Sequence, residues 1–222
     1  MIKEIIVDGY VLEPSFSQRI PTLMQYPVFV RRFKRGEMMV RYQDPIGELQ
    51  FMAAGRAKVF SVMGNGRAVL HTVFQGFEVI GDLEFLQGYR RATTDIQAVS
   101  DVVLLCIPLG SCGDQLLQDD KMLRVLGNEL AKKLERSSRQ GAQNLLYPLS
   151  DRLAAYLLFS AQEGIFSENL TQTSELLATS YRHLLRTLKG FCEQGLIRRI
   201  PRGYEIVDRR SLGRIGEALW WE

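Results

Sequence analysis

At 222 residues, with 46% hydrophobic and 24% charged content, the chain has material for one large or two modest buried cores. Its longest apolar run, VVLLCIPL at residues 102–109, falls far short of the roughly 18 to 20 residues a membrane-spanning helix requires, so no membrane association is expected. The net charge of +3 decides little, because nucleic-acid binding depends on where cations cluster.

The opening MIKEIIVDGY sets Glu4 and Asp8 around a very short apolar stretch, unlike a secretory signal, and the expected location is the cytoplasm. Three cysteines, Cys106, Cys112 and Cys192, lack the spacing of a zinc or redox motif and are taken as small hydrophobes. A redox-sensing pair of Cys106 and Cys112 is the alternative.

Residues 29–107 are built of short runs rich in Val, Phe, Ile and Leu, punctuated by Gly36, Gly47, Gly55, Gly66, Gly76 and Gly81. Short strands with regular turn signals predict an antiparallel barrel or sandwich. GNGR at residues 64–67, between AKVFSV and AVLHTV, predicts a tight hairpin turn, since Asn-Gly accepts positive φ. Arg31 and Arg32 are assigned to the solvated face of an outer strand. The chain has two histidines, His71 and His183, too few for a metal-centred barrel enzyme, and no catalytic triad assembles around His71. An enzyme is not expected.

After Pro108 the period changes. Residues 118–146 predict a long helix with Leu123, Leu126, Leu130 and Leu134 on one stripe and Asp119 and Asp120 in its first turn. That stripe packs either on its own barrel or on a second copy as a coiled coil. Ser137 and Ser138 are small enough to permit close helix approach. Tyr147 and Pro148 then interrupt the helix, and Ser150 is positioned to cap the next one.

Asn169 is predicted to cap a short helix, LTQTSELLA, followed by a tight turn at Ala178 and Thr179. Ser180 is then the N-cap of YRHLLRTLKGFCEQ, whose apolar face is Leu184, Leu188 and Phe191 and whose stop is Gly195. Two short helices joined by a tight turn form a helix-turn-helix, whose second helix enters the DNA major groove. Between Ser180 and Arg202 the cations Arg182, Arg186, Lys189, Arg198, Arg199 and Arg202 meet a single anion, Glu193. LIRRIPRGYEIVD predicts a hairpin with Pro201, Arg202 and Gly203 near its turn, suited to a wing. The rival reading of this domain is a module that contacts protein instead of DNA.

The run GELQFMAAGRAKVFSVMGNGRAVLHTVFQGFEVIGDLEFL, with the helix-turn-helix and hairpin, resembles the Crp/Fnr family of bacterial regulators, typified by the cyclic AMP receptor protein and FNR. The resemblance implies an α+β architecture. Residues 1–112 would form a cyclic-nucleotide-binding-like antiparallel β-barrel, of double-stranded β-helix or jelly-roll type. Residues 113–147 would form a dimerisation helix, and residues 148–222 a winged helix-turn-helix. Implied partners are double-stranded DNA with a two-fold operator, a second copy of the chain, RNA polymerase and a small-molecule effector. On this sequence the DNA contacts fall on Ser180, Tyr181, Arg182, His183, Arg186, Lys189, Arg198, Arg199 and Arg202. Arg186 is suited to guanine O6 and N7. Arg198 and Arg199 are suited to phosphates.

The family's nucleotide cassette reads here GDLEFLQGYRRATT. Gly81, Asp82, Leu83, Arg91, Ala92, Thr93, Ser137 and Ser138 are the effector-pocket candidates, with the serines where relatives place hydroxyls facing adenine. The match is partial: Ala92 stands at the expected arginine and Arg91 comes one residue early, a shift that in a strand reverses the side chain's direction. A cyclic nucleotide is therefore disfavoured as effector. FNR-type members carry an iron-sulfur cluster on N-terminal cysteines, and with no cysteine before Cys106 none is expected.

Overall fold

The computed structural model describes residues 5–12, 14–64 and 68–216. The chain divides into two compact units, residues 1–59 with 72–137, and residues 60–71 with 138–222. The boundary inside the long helix falls between Ser137 and Ser138.

The first element is a hairpin that the sequence pattern does not announce. β1 (Ile5–Val7) and β2 (Tyr10–Leu12) pair antiparallel around Asp8 and Gly9, both at positive φ. A short helix, α1 (Pro14–Arg19), and one turn of 3-10 helix (Leu23–Gln25) lead into the strands.

Two four-stranded sheets follow. The first takes β3 (Phe29–Phe33), β5 (Glu48–Ala54), β8 (Glu78–Ile80) and β10 (Val102–Pro108) in the order β3-β10-β5-β8, antiparallel throughout. The second takes β4 (Met38–Val40), β6 (Arg56–Val62), β7 (Ala68–Gln75) and β9 (Asp95–Ala98) in the order β4-β9-β6-β7. The expected barrel is thus an open jelly roll of two sheets. The tight turn expected over residues 64–67 lies, from residue 65 on, outside the described residues.

Alternation along the strands divides the core, because successive side chains point to opposite faces. Met52, Leu104 and Cys106 join Met39, Val59, Phe74, Ile80 and Ile96 between the sheets. Leu49, Phe51, Leu105 and Ile107 point the other way, into a cluster with Phe16, Ile20 and Leu23. Gly55 shows why the glycine punctuation matters. At φ 103°, an added Cβ would lie 2.3 Å from the Asp101 carbonyl oxygen, so only glycine fits this turn.

α2 (Asp82–Gln87) starts at Gly81, itself at φ 85°. After β10 come two helices where one was expected: α3 (Leu109–Leu117) and α4 (Asp120–Leu146). Asp119 makes the break. Its Oδ1 accepts from the N–H groups of Lys121 and Met122 at 3.0 and 3.1 Å, so it caps α4 instead of lying in the first turn. The leucine stripe divides too. Leu126, with Met122, is buried in the barrel's own core, Leu123 and Leu130 are half-buried, and Leu134 is 70% exposed.

The second unit holds α5 (Leu149–Ser160), β11 (Ile165–Phe166), α6 (Leu170–Leu176), α7 (Tyr181–Glu193), β12 (Ile197–Ile200), β13 (Gly203–Ile206) and α8 (Arg209–Gly216). α5 starts at Leu149, with Pro148 at the N-cap, so Ser150 lies inside the first turn and hydrogen-bonds Asp151 instead of capping. The three strands order as β11-β13-β12. α8 is a further element beyond those expected; it packs so tightly on α5 that a Cβ at Gly216 would lie 2.8 Å from the Ala155 nitrogen. No described helix is long and apolar enough to cross a membrane.

Candidate functional site

The α6–α7 pair is built from its caps. Asn169 Oδ1 accepts from the N–H groups of Thr171 and Gln172 at 2.9 and 3.1 Å, satisfying the free donors at the start of α6. The helix ends at Leu176 with Leu177 as its C-cap, and Ala178 then adopts φ 49°, the left-handed turn that redirects the chain. Ser180 Oγ accepts from His183 N–H at 3.2 Å and starts α7. Gly195, at φ 71°, follows its last turn. Arg152 of α5 donates through Nη1 to the Leu177 carbonyl at 2.5 Å, tying this turn to the domain core.

Leu184, Leu188 and Phe191 are buried, which leaves the opposite face of α7 outside. Tyr181, Arg182, His183, Arg186 and Lys189 are all exposed on it. The Thr179 hydroxyl lies 3.4 Å from His183 Nδ1. Beyond α7, the β12–β13 hairpin turns at Pro201 and Arg202, with Arg199 and Arg202 exposed.

Ion pairing redistributes the positive charge. Lys189 lies 3.6 Å from Glu193, and Arg198 donates through Nε and Nη2 to Glu205 at 3.0 and 2.6 Å across the hairpin. Arg182, Arg186, Arg199 and Arg202 have no ion pair among the described residues. The partner of Arg198 lies just past a charge count that stops at Arg202, although hairpin register sets Arg198 and Glu205 opposite each other.

The second candidate site is the cassette around α2. Asp82 is 2% exposed, and Lys133 Nζ donates to its Oδ1 and Oδ2 at 2.6 and 2.7 Å. Burial pushes the Asp82 carboxyl above its ordinary value, against the pull of the Lys133 ammonium. The same ammonium donates to the Val79 carbonyl at 2.5 Å and lies 5.6 Å from the Phe74 ring centroid. One turn on, Arg136 engages the buried Glu78 carboxylate at two points, and this hydrogen bonding raises the guanidinium's pKa. Thr93 donates its N–H and its hydroxyl to Glu84 Oε1 at 2.9 and 2.6 Å.

Arg91 does not join this group. It is exposed, and its Nη1 donates to the Gln43 carbonyl at 2.7 Å, while Ala92 is buried. Leu83, Ser137 and Ser138 are exposed. Glu78, Glu84, Lys133 and Arg136 belong to the site without being among the sequence-derived candidates. The signal for the two cations is present: Met122, Leu126, Glu129, Lys133 and Arg136 recur at three and four residues, on one stripe.

Two family models match the chain, the cyclic nucleotide-binding domain over residues 30–119 and the Crp-like helix-turn-helix domain over residues 151–215. The chain is 34% identical over 164 residues to the regulatory protein YeiL of Escherichia coli O157:H7, covering 74% of each. The transcriptional activator protein anr of Pseudomonas aeruginosa is 24% identical over 198 residues, 82% of this chain and 78% of that one. Among solved structures, a CRP-family transcriptional regulator from Thermus thermophilus matches with a TM-score of 0.68 at 17% identity, covering 86% of this chain and 98% of that one. At that identity the likeness speaks for the fold alone.

Proposed function

This chain belongs to the Crp/Fnr family of transcription regulators, and we propose that it acts in the cytoplasm as a homodimer on a two-fold DNA operator, in partnership with RNA polymerase. That it is a DNA-binding regulator with an effector-type N-terminal domain follows from the family. The relatives it matches are a regulatory protein and a transcriptional activator.

The observation that carries the reading is the capped α7, which presents Arg182 and Arg186 exposed and without ion pairs among the described residues, on the face opposite its buried leucines. An N-terminal helix face of this kind meets base edges in the major groove. Arg186 is the base reader, since a planar guanidinium matches guanine O6 and N7 at two points. Arg199 and Arg202, on and beside the wing, are the phosphate contacts, which position the domain without reading sequence. Arg198 reaches phosphate only by leaving Glu205. The half-buried and exposed stripe of Leu123, Leu130 and Leu134 is the dimer seam, where a second copy would cover the leucines that the barrel leaves uncovered.

Cyclic nucleotides are not the effector. A cyclic phosphate needs a cation and free donors, yet Ala92 supplies no charge, Arg91 is engaged outside, and the Thr93 donors are taken by Glu84. A ribose hydroxyl would meet an Asp82 carboxylate that is 2% exposed and already paired with Lys133. The test of the DNA reading is selection of bound duplexes from a random pool. A two-fold symmetric consensus is expected; association that is weak, sequence-blind and insensitive to salt would point to the protein-contacting module instead.

A further inference from the structure

Among the described residues, the apolar clusters take in only the first part of α4. Met122 and Leu126 belong to the core shared with the barrel's helices, and past Leu126 no residue of α4 joins either apolar cluster among the described residues. Two ion pairs take over from there.

Lysine has three N–H donors, and those of Lys133 have three acceptors within reach: both Asp82 oxygens and the Val79 carbonyl. Arg136 meets Glu78 as a two-point fork, the arrangement in which arginine binds carboxylates most strongly. The Asp82 and Glu78 side chains are each 3% exposed, so either would be a buried, uncompensated charge without its cation. Because these cations share a stripe with Met122 and Leu126, the pairs also fix the rotation of α4 about its axis. That rotation decides whether Leu130 and Leu134 face outward.

We propose that Lys133 and Arg136 are a resident substitute for a small-molecule effector: they lock α4 on the barrel from within, and the regulator binds its operator with no ligand present. The inference rests on the DNA-binding dimer reading above. A free ligand shifts a conformational equilibrium only by its differential affinity for the two states. Here the chain supplies the bridging groups itself, at the high effective concentration of a tethered partner. In the cassette Asp82 is buried and paired with Lys133, and the Thr93 N–H and hydroxyl both go to Glu84.

The experiment uses the full-length protein, stripped of small molecules by extensive dialysis, and the operator recovered by duplex selection. Fluorescence anisotropy reads DNA affinity, sedimentation reads the dimer and circular dichroism reads the fold. Stripped wild type is expected to bind the operator fully. Lys133→Met should weaken operator binding by roughly 10-fold or more. Because that change strands the Asp82 charge, the double variant Asp82→Asn with Lys133→Met is measured beside it. It leaves no unpaired charge, so it should fold and dimerise yet show the same loss. A folded, dimeric double variant with wild-type affinity overturns the proposal. So does a stripped wild type that binds operator only after a low-molecular-weight cell extract is returned, a result that leaves the DNA-binding reading standing. Wild type that binds no duplex with or without extract overturns the regulator reading itself, and the resident-ligand proposal with it.

Discussion

Arg91 and Ala92 are adjacent in the chain and face opposite ways: the arginine lies outside, bonded to the Gln43 carbonyl at 2.7 Å, while the alanine is buried at 1% exposure. The isolated bridge between Pro45 and Arg91 and the bonds linking Ala92 to Gln43 and Asp44 hold that register. Calorimetric titration with cyclic AMP and cyclic GMP should therefore show no micromolar binding, and Arg91→Ala should leave operator affinity unchanged. Micromolar binding abolished by Arg91→Ala would mean that the loop slips by one residue to bring the guanidinium inward.

The two leucines Leu126 and Leu134 separate folding from assembly. Leu126 is fully buried in its own barrel core, so Leu126→Ala should cost about 2 to 5 kcal/mol of stability while the folded fraction stays dimeric. Leu134 is 70% exposed, so Leu134→Glu should leave the chain folded. It should nonetheless produce monomers, because a two-fold seam meets the new charge twice. Sedimentation at several concentrations, run beside urea unfolding, checks both; a dimeric Leu134→Glu would move the seam off this stripe.

What the sequence made legible was local. The caps Asn169 and Ser180, the turn at Ala178 and the stop at Gly195 each act within a few residues, so their side-chain chemistry announces them before any fold is known. Alternation likewise marked the strands. The cassette was legible only by family pattern, and its decisive partners were not: Lys133 lies 51 positions from Asp82, and Arg136 lies 58 from Glu78. No local rule pairs charges across such distances. Leu126 illustrates the same limit, since helical spacing marks an apolar stripe without saying which of two surfaces will cover it. Gly203 reads in sequence as a flexible turn residue, yet its reason is close contact: a Cβ there would lie 2.0 Å from the Phe166 carbonyl oxygen.

The start of α4 should titrate. Burial favours protonation of Asp119, but the hydrogen bonds it accepts, from Tyr26 and the Lys121 and Met122 N–H groups among others, outweigh that and hold its pKa below the usual carboxylate value. With the folded value depressed, the unfolded chain binds more protons in acid; this stability is present above about pH 4 and lost as pH falls through the folded value. Asparagine caps helices as well as aspartate does. Asp119→Asn should thus change little at pH 7 and flatten the acid limb of a urea-unfolding series. Tyr26, raised to about 12 by burial and by Asp119, gives the opposite limb, with stability falling as pH climbs from about 10. Tyr26→Phe should remove that fall at a cost of about 1 kcal/mol.

The three arginines Arg186, Arg198 and Arg199 should separate by kind of contact. Arg186 is exposed on α7 without an ion pair among the described residues, so Arg186→Ala should cost about 1 to 3 kcal/mol and relax preference at one base pair per half-site. Arg199→Ala should weaken every sequence alike and reduce the salt dependence of binding, as loss of a phosphate contact does. Arg198 is engaged by Glu205 at 2.6 Å, so Arg198→Ala should cost less than Arg199→Ala at low salt. Glu205→Gln, which releases Arg198 while keeping the hairpin's shape, should strengthen non-specific binding and steepen its salt dependence. Competition binding against single-base operator variants at several salt concentrations reads all four. Uniform losses across variants for Arg186→Ala would remove it as a base reader and return the specificity to Tyr181, Arg182 and His183.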